Sequence, residues 1–168
     1  MATSAPSAQR TRVINRSVIE WAAWDWGSAA FNAVATTFVF TTYLTSDGVF
    51  TDSGTANSWL SAGMTVAGLV IAVLAPITGQ RADRRGKGGV WLGWFTGAVV
   101  VCLFAMYFVH PASALGPQGS LVLGIVLLGL GNVFFEFASV NYNAMLNHLG
   151  TKENRGRISG FGWAAGYI

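Results

Sequence analysis

Asp25 and Glu136 are the two acidic side chains that stand well inside long apolar runs of this chain. A charge at mid-membrane costs about 2.5–3.5 kcal/mol on insertion scales, so such groups turn toward a bundle interior or a water-filled cavity. A carboxylate held there can contact a solute, or take up and release protons within a transport cycle. Both belong to polar stripes at helical spacing. Asp25, Ser28, Asn32 and Thr36 recur at i, i+3, i+7 and i+11, and Asn132, Glu136, Ser139 and Asn143 at i, i+4, i+7 and i+11. The two stripes predict a polar cavity with Asp25 and Asn32 on one wall and Asn132, Glu136 and Asn143 on the other. Plainer roles stay open: Asp25 also suits an interfacial position capped by Trp and Ser neighbours. The asparagines also suit interhelical hydrogen bonding, and Phe134, Phe135 and Phe137 suit packing and lipid contact.

The elements that must carry these stripes are membrane helices. The 168 residues are 52% apolar and 10% charged, against roughly 25% charged in an average soluble domain. The apolar residues lie in blocks long enough to cross a hydrocarbon core, which needs about 20 helical residues. After a tail at 1–17, spans are expected at about 18–44, 58–78, 90–109 and 121–146, with a fifth starting at 158–168. Trp21, Trp24 and Trp26 at the start of the first span and Tyr43 near its end suit interfacial aromatic belts. The third span has no ionisable residue, and Gly89, Gly93 and Gly97 share one face where a neighbouring helix can approach closely. The start of the fifth span climbs only about 15 Å, half a membrane. The expected fold is an all-α integral membrane helical bundle, the front part of a longer protein.

Charge supplies the orientation. All ten basic residues fall in three segments: Arg10, Arg12 and Arg16; Arg81, Arg84, Arg85 and Lys87; Lys152, Arg155 and Arg157. The two intervening loops have none, so the positive-inside rule predicts a cytoplasmic N-terminus, with the plasma (inner) membrane as the expected location. Basic residues dispersed in this way argue against a nucleic-acid partner despite the net charge of +3. The lone Cys102 leaves no intrachain disulfide. The first apolar run is too long, and too interrupted by Trp24, Asp25 and Trp26, for a cleavable signal core. His110 and His148 fall on opposite sides of the membrane. With no zinc pattern, phosphate loop or nucleophile elbow in the chain, no metal site, cofactor or enzymatic activity is expected.

The stretch between the second and third spans, GQRADRRGKGG from Gly79 to Gly89, resembles the signature loop of the major facilitator superfamily of secondary transporters. It keeps Gly79, Asp83, Arg84 and Gly86, has Lys87 where arginine is usual, and has Gly88 where the last basic residue would stand. The resemblance implies that Asp83 latches the cytoplasmic side against the other half of the transporter, with Arg84 and Arg85 as supporting charges. Arg84, Arg85 and Lys87 acting only as topological anchors is the simpler alternative. Three further stretches, WAAWDWGSAAFNAVATTFVFTTYL, NVFFEFASVNYNAML and GRISGFGWAAGY, look like the subgroup related to vacuolar amino-acid effluxers. That subgroup implies proton-coupled efflux of amino acids or related metabolites by alternating access. Drug or multidrug efflux by the same fold is an alternative, as is a non-transporting membrane scaffold; many proton-coupled drug exporters carry an arginine in the fourth helix, which this chain lacks. The expected partners are membrane lipids, a small-molecule substrate, and a carboxyl-terminal half or second copy in a homo-oligomer.

Overall fold

Asn15 opens the first helix: its side-chain oxygen accepts the Val18 N–H at 3.0 Å, which satisfies one of the orphan donors of a helix start. The computed structural model describes residues 14–85, 88–151 and 154–166, and among these there is no strand. Helix α1 (Arg16–Ala30) runs into a π-helical segment, Phe31–Phe38, and then, past Val39, into the short α2 (Phe40–Thr45). Helices α3 (Ser53–Arg85), α4 (Gly88–Met106), α5 (Gly116–Leu149) and α6 (Arg155–Gly166) follow. Three of them are long and apolar enough to cross a membrane: α3 over Ser53–Gln80, α4, and α5. The first expected span is helical as well, but the π-helical turns divide it, so no single regular helix covers it.

Helix α3 departs from the sequence expectation at its far end. The supposed loop from Gly79 is helical through Arg85, and the next helix begins at Gly88. Gln80, Arg81, Ala82, Arg84 and Arg85 are good helix formers, and a helix leaving the hydrocarbon has no reason to stop where its side chains become polar. At about 1.5 Å per residue, α3 and α5 each exceed the roughly 30 Å hydrocarbon core and project beyond it. Pro76 lies within α3, where it removes one backbone hydrogen bond. Gly86 and Lys87 lie outside the described residues.

Helix α5 is the axis of the bundle. Gly116, at φ 69°, occupies a backbone region that favours glycine just before the helix, and Pro117 sits in its first turn. Its buried residues run from Ser120 to Tyr142, and the helix packs most extensively on α4, then on α3, and also meets the first span and α6. Phe31, Leu44, Leu121, Leu128 and Phe135 form one core with the first span. Val18, Trp21, Ala22, Tyr142 and Ile158 form a second with α1 and α6, and Ala67, Val133 and Phe137 a third with α3. Toward its end α3 comes so close to α5 that a Cβ on Gly79 would stand 2.8 Å from Val140 Cγ1. Gly79 therefore has a packing reason to be glycine, whatever the motif around it does. The outward faces carry Phe38, Trp94, Phe104 and Tyr107, all exposed, as lipid contact requires.

Two loop aspartates secure the start of α3. Asp52 Oδ1 accepts the Thr55 N–H at 2.9 Å, and Asp47 Oδ1 accepts the Ser53 N–H at 3.0 Å. Hydrogen bonds from the Thr55 side chain and backbone, with a smaller one from Thr51, hold the Asp52 carboxyl below the usual carboxylate range. A depressed folded-state pKa stabilises above the unfolded value, about 3.9, and the contribution disappears as pH falls through the folded value. Protection from hydrogen exchange at Thr55 and Ala56, taken against the intrinsic rate at each pH, is therefore expected to fall on acidification below about pH 4. Asp52→Asn keeps an acceptor that does not titrate and should flatten that dependence. Equal acid sensitivity in both proteins would rule out the cap as its source.

Candidate functional site

The polar stripe of the first span opens onto a pocket of about 450 Å³ bounded by α1, the π-helical segment, α5 and α6. Its lining includes Trp24, Asp25, Ser28, Asn32, Thr37, Phe135, Ser139, Tyr142, Asn143 and Trp163. Asp25, Asn32 and Asn143, all expected in the cavity, are brought together here. Asn132 and Glu136 are not among its lining residues; both are half-buried on the same face of α5 as Asn143. Helical geometry spreads Asn132, Glu136, Ser139 and Asn143 over only about 60° of the circumference, so Glu136 continues the polar stripe beyond the pocket. Neither Asp25 nor Glu136 has a side-chain hydrogen bond or ion pair among the described residues.

The π-helical segment changes which residues face the pocket. The Val39 N–H bonds back to the Val34 carbonyl, five residues earlier, at 3.0 Å. One additional residue enters the turn, so Thr37 rather than Thr36 follows Asn32 into the lining. Thr36 instead donates its hydroxyl to the Asn32 carbonyl at 2.6 Å. Thr41 donates to the Thr36 carbonyl at 2.8 Å, satisfying an acceptor left by the irregular backbone.

Aromatic rings form the floor. Tyr142 lies between two indoles, with ring centroids 4.4 Å from Trp21 and 4.6 Å from Trp24. Trp24 continues to Phe135 at 6.0 Å, and Phe135 to Phe31 at 5.2 Å. The Trp21 indole N–H donates to the Tyr142 carbonyl at 3.0 Å, and that of Trp24 to the Thr96 hydroxyl of α4 at 2.9 Å. Trp21, expected at the membrane interface, is thus buried at 4% exposure, because α5 and α6 offer its ring and its N–H a better partner than lipid headgroups. Trp26 of the same group stays exposed. Trp24 is expected from sequence only in the interfacial belt, and Tyr142 and Trp163 are not expected at the site, although Tyr142 lies three residues after Ser139 on the polar stripe, a spacing that carries the signal.

The other expected site residues are not at this pocket. Asp83, Arg84 and Arg85 belong to the last turns of α3, while Gly86 and Lys87 fall outside the described residues. Gly89, Gly93 and Gly97 line a separate apolar groove of about 760 Å³ with Trp94, Cys102 and Phe134. No described residue approaches within 4 Å of a Cβ built on Gly93 or Gly97, so this face is open within the described bundle. Among the described residues no group of His, Cys, Asp and Glu could hold a metal ion.

An apolar helical bundle with a polar, acid-bearing pocket between α1 and α5 defines an integral membrane protein. The family model of the Major Facilitator Superfamily matches residues 2–168, and the chain belongs to that superfamily of secondary transporters. No curated protein and no solved structure matches the chain.

Proposed function

We propose that this chain supplies the amino-terminal wall of a transporter that exports amino acids or related small metabolites by alternating access, coupled to protons. The observation that carries the reading is the unpaired Asp25 carboxylate in a polar pocket of an otherwise apolar bundle. Such a group is costly at membrane depth unless water or a ligand reaches it. Glu136 and Asn132, farther along the same face of α5, extend the path, and Asn32 and Asn143 line it. The N-terminus is cytoplasmic in this reading and the location is the plasma membrane. Asp83 closes the cytoplasmic side, supported by Arg84 and Arg85.

The test is uptake and counterflow of amino acids in proteoliposomes, wild type beside Glu136→Gln and Asp25→Asn. One of the two substitutions is expected to abolish flux driven by a pH gradient while leaving exchange intact. A solute that moves with unchanged pH dependence in both variants removes the proton-coupling role. A wild type that moves none of a broad amino-acid panel removes the proposed substrate class.

A further inference from the structure

We propose that the pocket beside Asp25 binds a protonated amino group of the transported solute. This rests on reading the pocket as part of the solute path, and it adds the chemistry of what is held there. The one charged side chain among the described lining residues is an anion. Asp25 contributes a carboxylate with no partner among the described residues. Asn143 commits its amide N–H groups to the Ser139 carbonyl at 2.9 Å and hydroxyl at 3.5 Å, which leaves its Oδ1 free to accept. Asn32 presents its carbonyl side to the Thr36 hydroxyl at 3.4 Å, a long contact that leaves a lone pair available. No Lys, Arg or His is among the described lining residues.

A second observation points the same way. Tyr142 is only 5% exposed, and its hydroxyl has no hydrogen-bond partner among the described residues. Its side chain is among those that line the pocket with Asp25. Buried hydroxyls in native proteins are almost always satisfied, so an orphan among the residues that line the pocket points to something polar bound there. A primary ammonium carries a positive charge and three N–H donors, which answers the carboxylate and the amide oxygens together. A carboxylate ligand would meet repulsion from Asp25 and no compensating cation, and a neutral alcohol would leave Asp25 without a counter-charge. The size fits, since small-molecule sites fall at roughly 300–1,000 Å³ and this one is about 450 Å³. Trp163 of α6 forms part of the rim, where an apolar substituent on the amine can lie.

The experiment is equilibrium binding of four matched probes to the full chain in lipid nanodiscs at neutral pH. The probes are phenethylamine, its N,N,N-trimethyl derivative, 2-phenylethanol and 3-phenylpropionate. Phenethylamine should bind at least about tenfold more tightly than the alcohol and the acid, because a charge-assisted hydrogen bond is lost with either. The trimethyl compound, which keeps the charge and loses the donors, should fall between. Asp25→Asn, whose native carboxylate makes no hydrogen bond to forfeit, should erase the preference for the amine. Asp25→Glu should restore part of it, and Asn143→Leu should weaken amine binding several-fold without reversing the order. Equal or tighter binding of the acid, or an amine preference that survives Asp25→Asn, overturns the proposal. Failure here is separable from failure of the transport reading. An amine bound in an Asp25-dependent way but never carried across proteoliposomes leaves this site standing and removes transport through it. Flux of an acidic or neutral solute with unaltered KM in Asp25→Asn does the reverse.

Discussion

Trp21→Ala is expected to destabilise the bundle by about 3–5 kcal/mol, the range for emptying a buried tryptophan site. Three contributions meet at this residue. The ring stacks on Tyr142 at 4.4 Å and nearly parallel, at 3°. It also touches α6, where a Cβ added to Gly162 would stand 2.7 Å from Trp21 Cζ3. Finally, its indole N–H donates to the Tyr142 carbonyl at 3.0 Å. Stacking adds about 0.5–1.5 kcal/mol beyond area burial, and a neutral hydrogen bond about 1 kcal/mol. Trp21→Phe retains much of the ring and drops the donor, so its loss should be well under half of that for alanine. Thermal unfolding of detergent-solubilised protein, followed by size exclusion, reads both. The control is Trp26→Ala, since Trp26 is 55% exposed and faces away from this core. If Trp21→Ala melts no earlier than Trp26→Ala, the α1–α5–α6 junction does not depend on this residue.

Gly63→Ala should cost about 1–3 kcal/mol, the usual penalty for forcing atoms into a filled contact. A Cβ at Gly63 would run into Ile125 Cγ2 of α5. That atom is the β-branch of isoleucine, held close to the α5 backbone, and it cannot swing aside as the end of a longer side chain would. The helices must separate instead, and they also meet at Gly129, whose Cβ would stand 3.6 Å from Ala67 Cβ. The diagnostic is the pair with Ile125→Leu, which removes the β-branch while nearly conserving volume. Gly63→Ala in that background should be almost neutral, giving a coupling energy of about 1 kcal/mol or more in a double-mutant cycle. Additive losses would mean that the contact is not what limits the approach of α3 to α5.

Much of this architecture was readable in advance, and the reason is the solvent. A hydrocarbon core demands long apolar helices, so the alternation of apolar blocks with polar connections predicts an all-α bundle directly. The superfamily was readable too, because Gly79, Asp83, Arg84 and Gly86 keep fixed spacing between the expected second and third spans. The polar stripe around Asp25 was visible from the 3.6-residue period, and Asn32 and Asn143 do meet at one pocket. That period failed at Thr36, since the hydrogen bond from Val39 to Val34 inserts a residue that no local propensity announces. The expectation also stops short at α3, because hydropathy marks where the chain leaves the membrane, near Thr78, and not where the helix ends, at Arg85.

What the sequence determined by itself was the environment of each segment: which stretches lie in lipid, which carry the basic charge, and which faces are polar. These follow from transfer free energies, which are properties of residues taken one at a time. The tertiary structure alone decided the pairings. It seated Trp21 against α5 and α6 instead of at the interface, closed Tyr142 between two indoles, and left Gly93 and Gly97 open. It also separated Glu136 from the pocket that holds Asp25. In lipid every helix face is nearly equivalent by transfer, so neighbours are chosen by fit and hydrogen bonding. Those terms belong to pairs of residues distant in the chain, and they exist only once the helices have met.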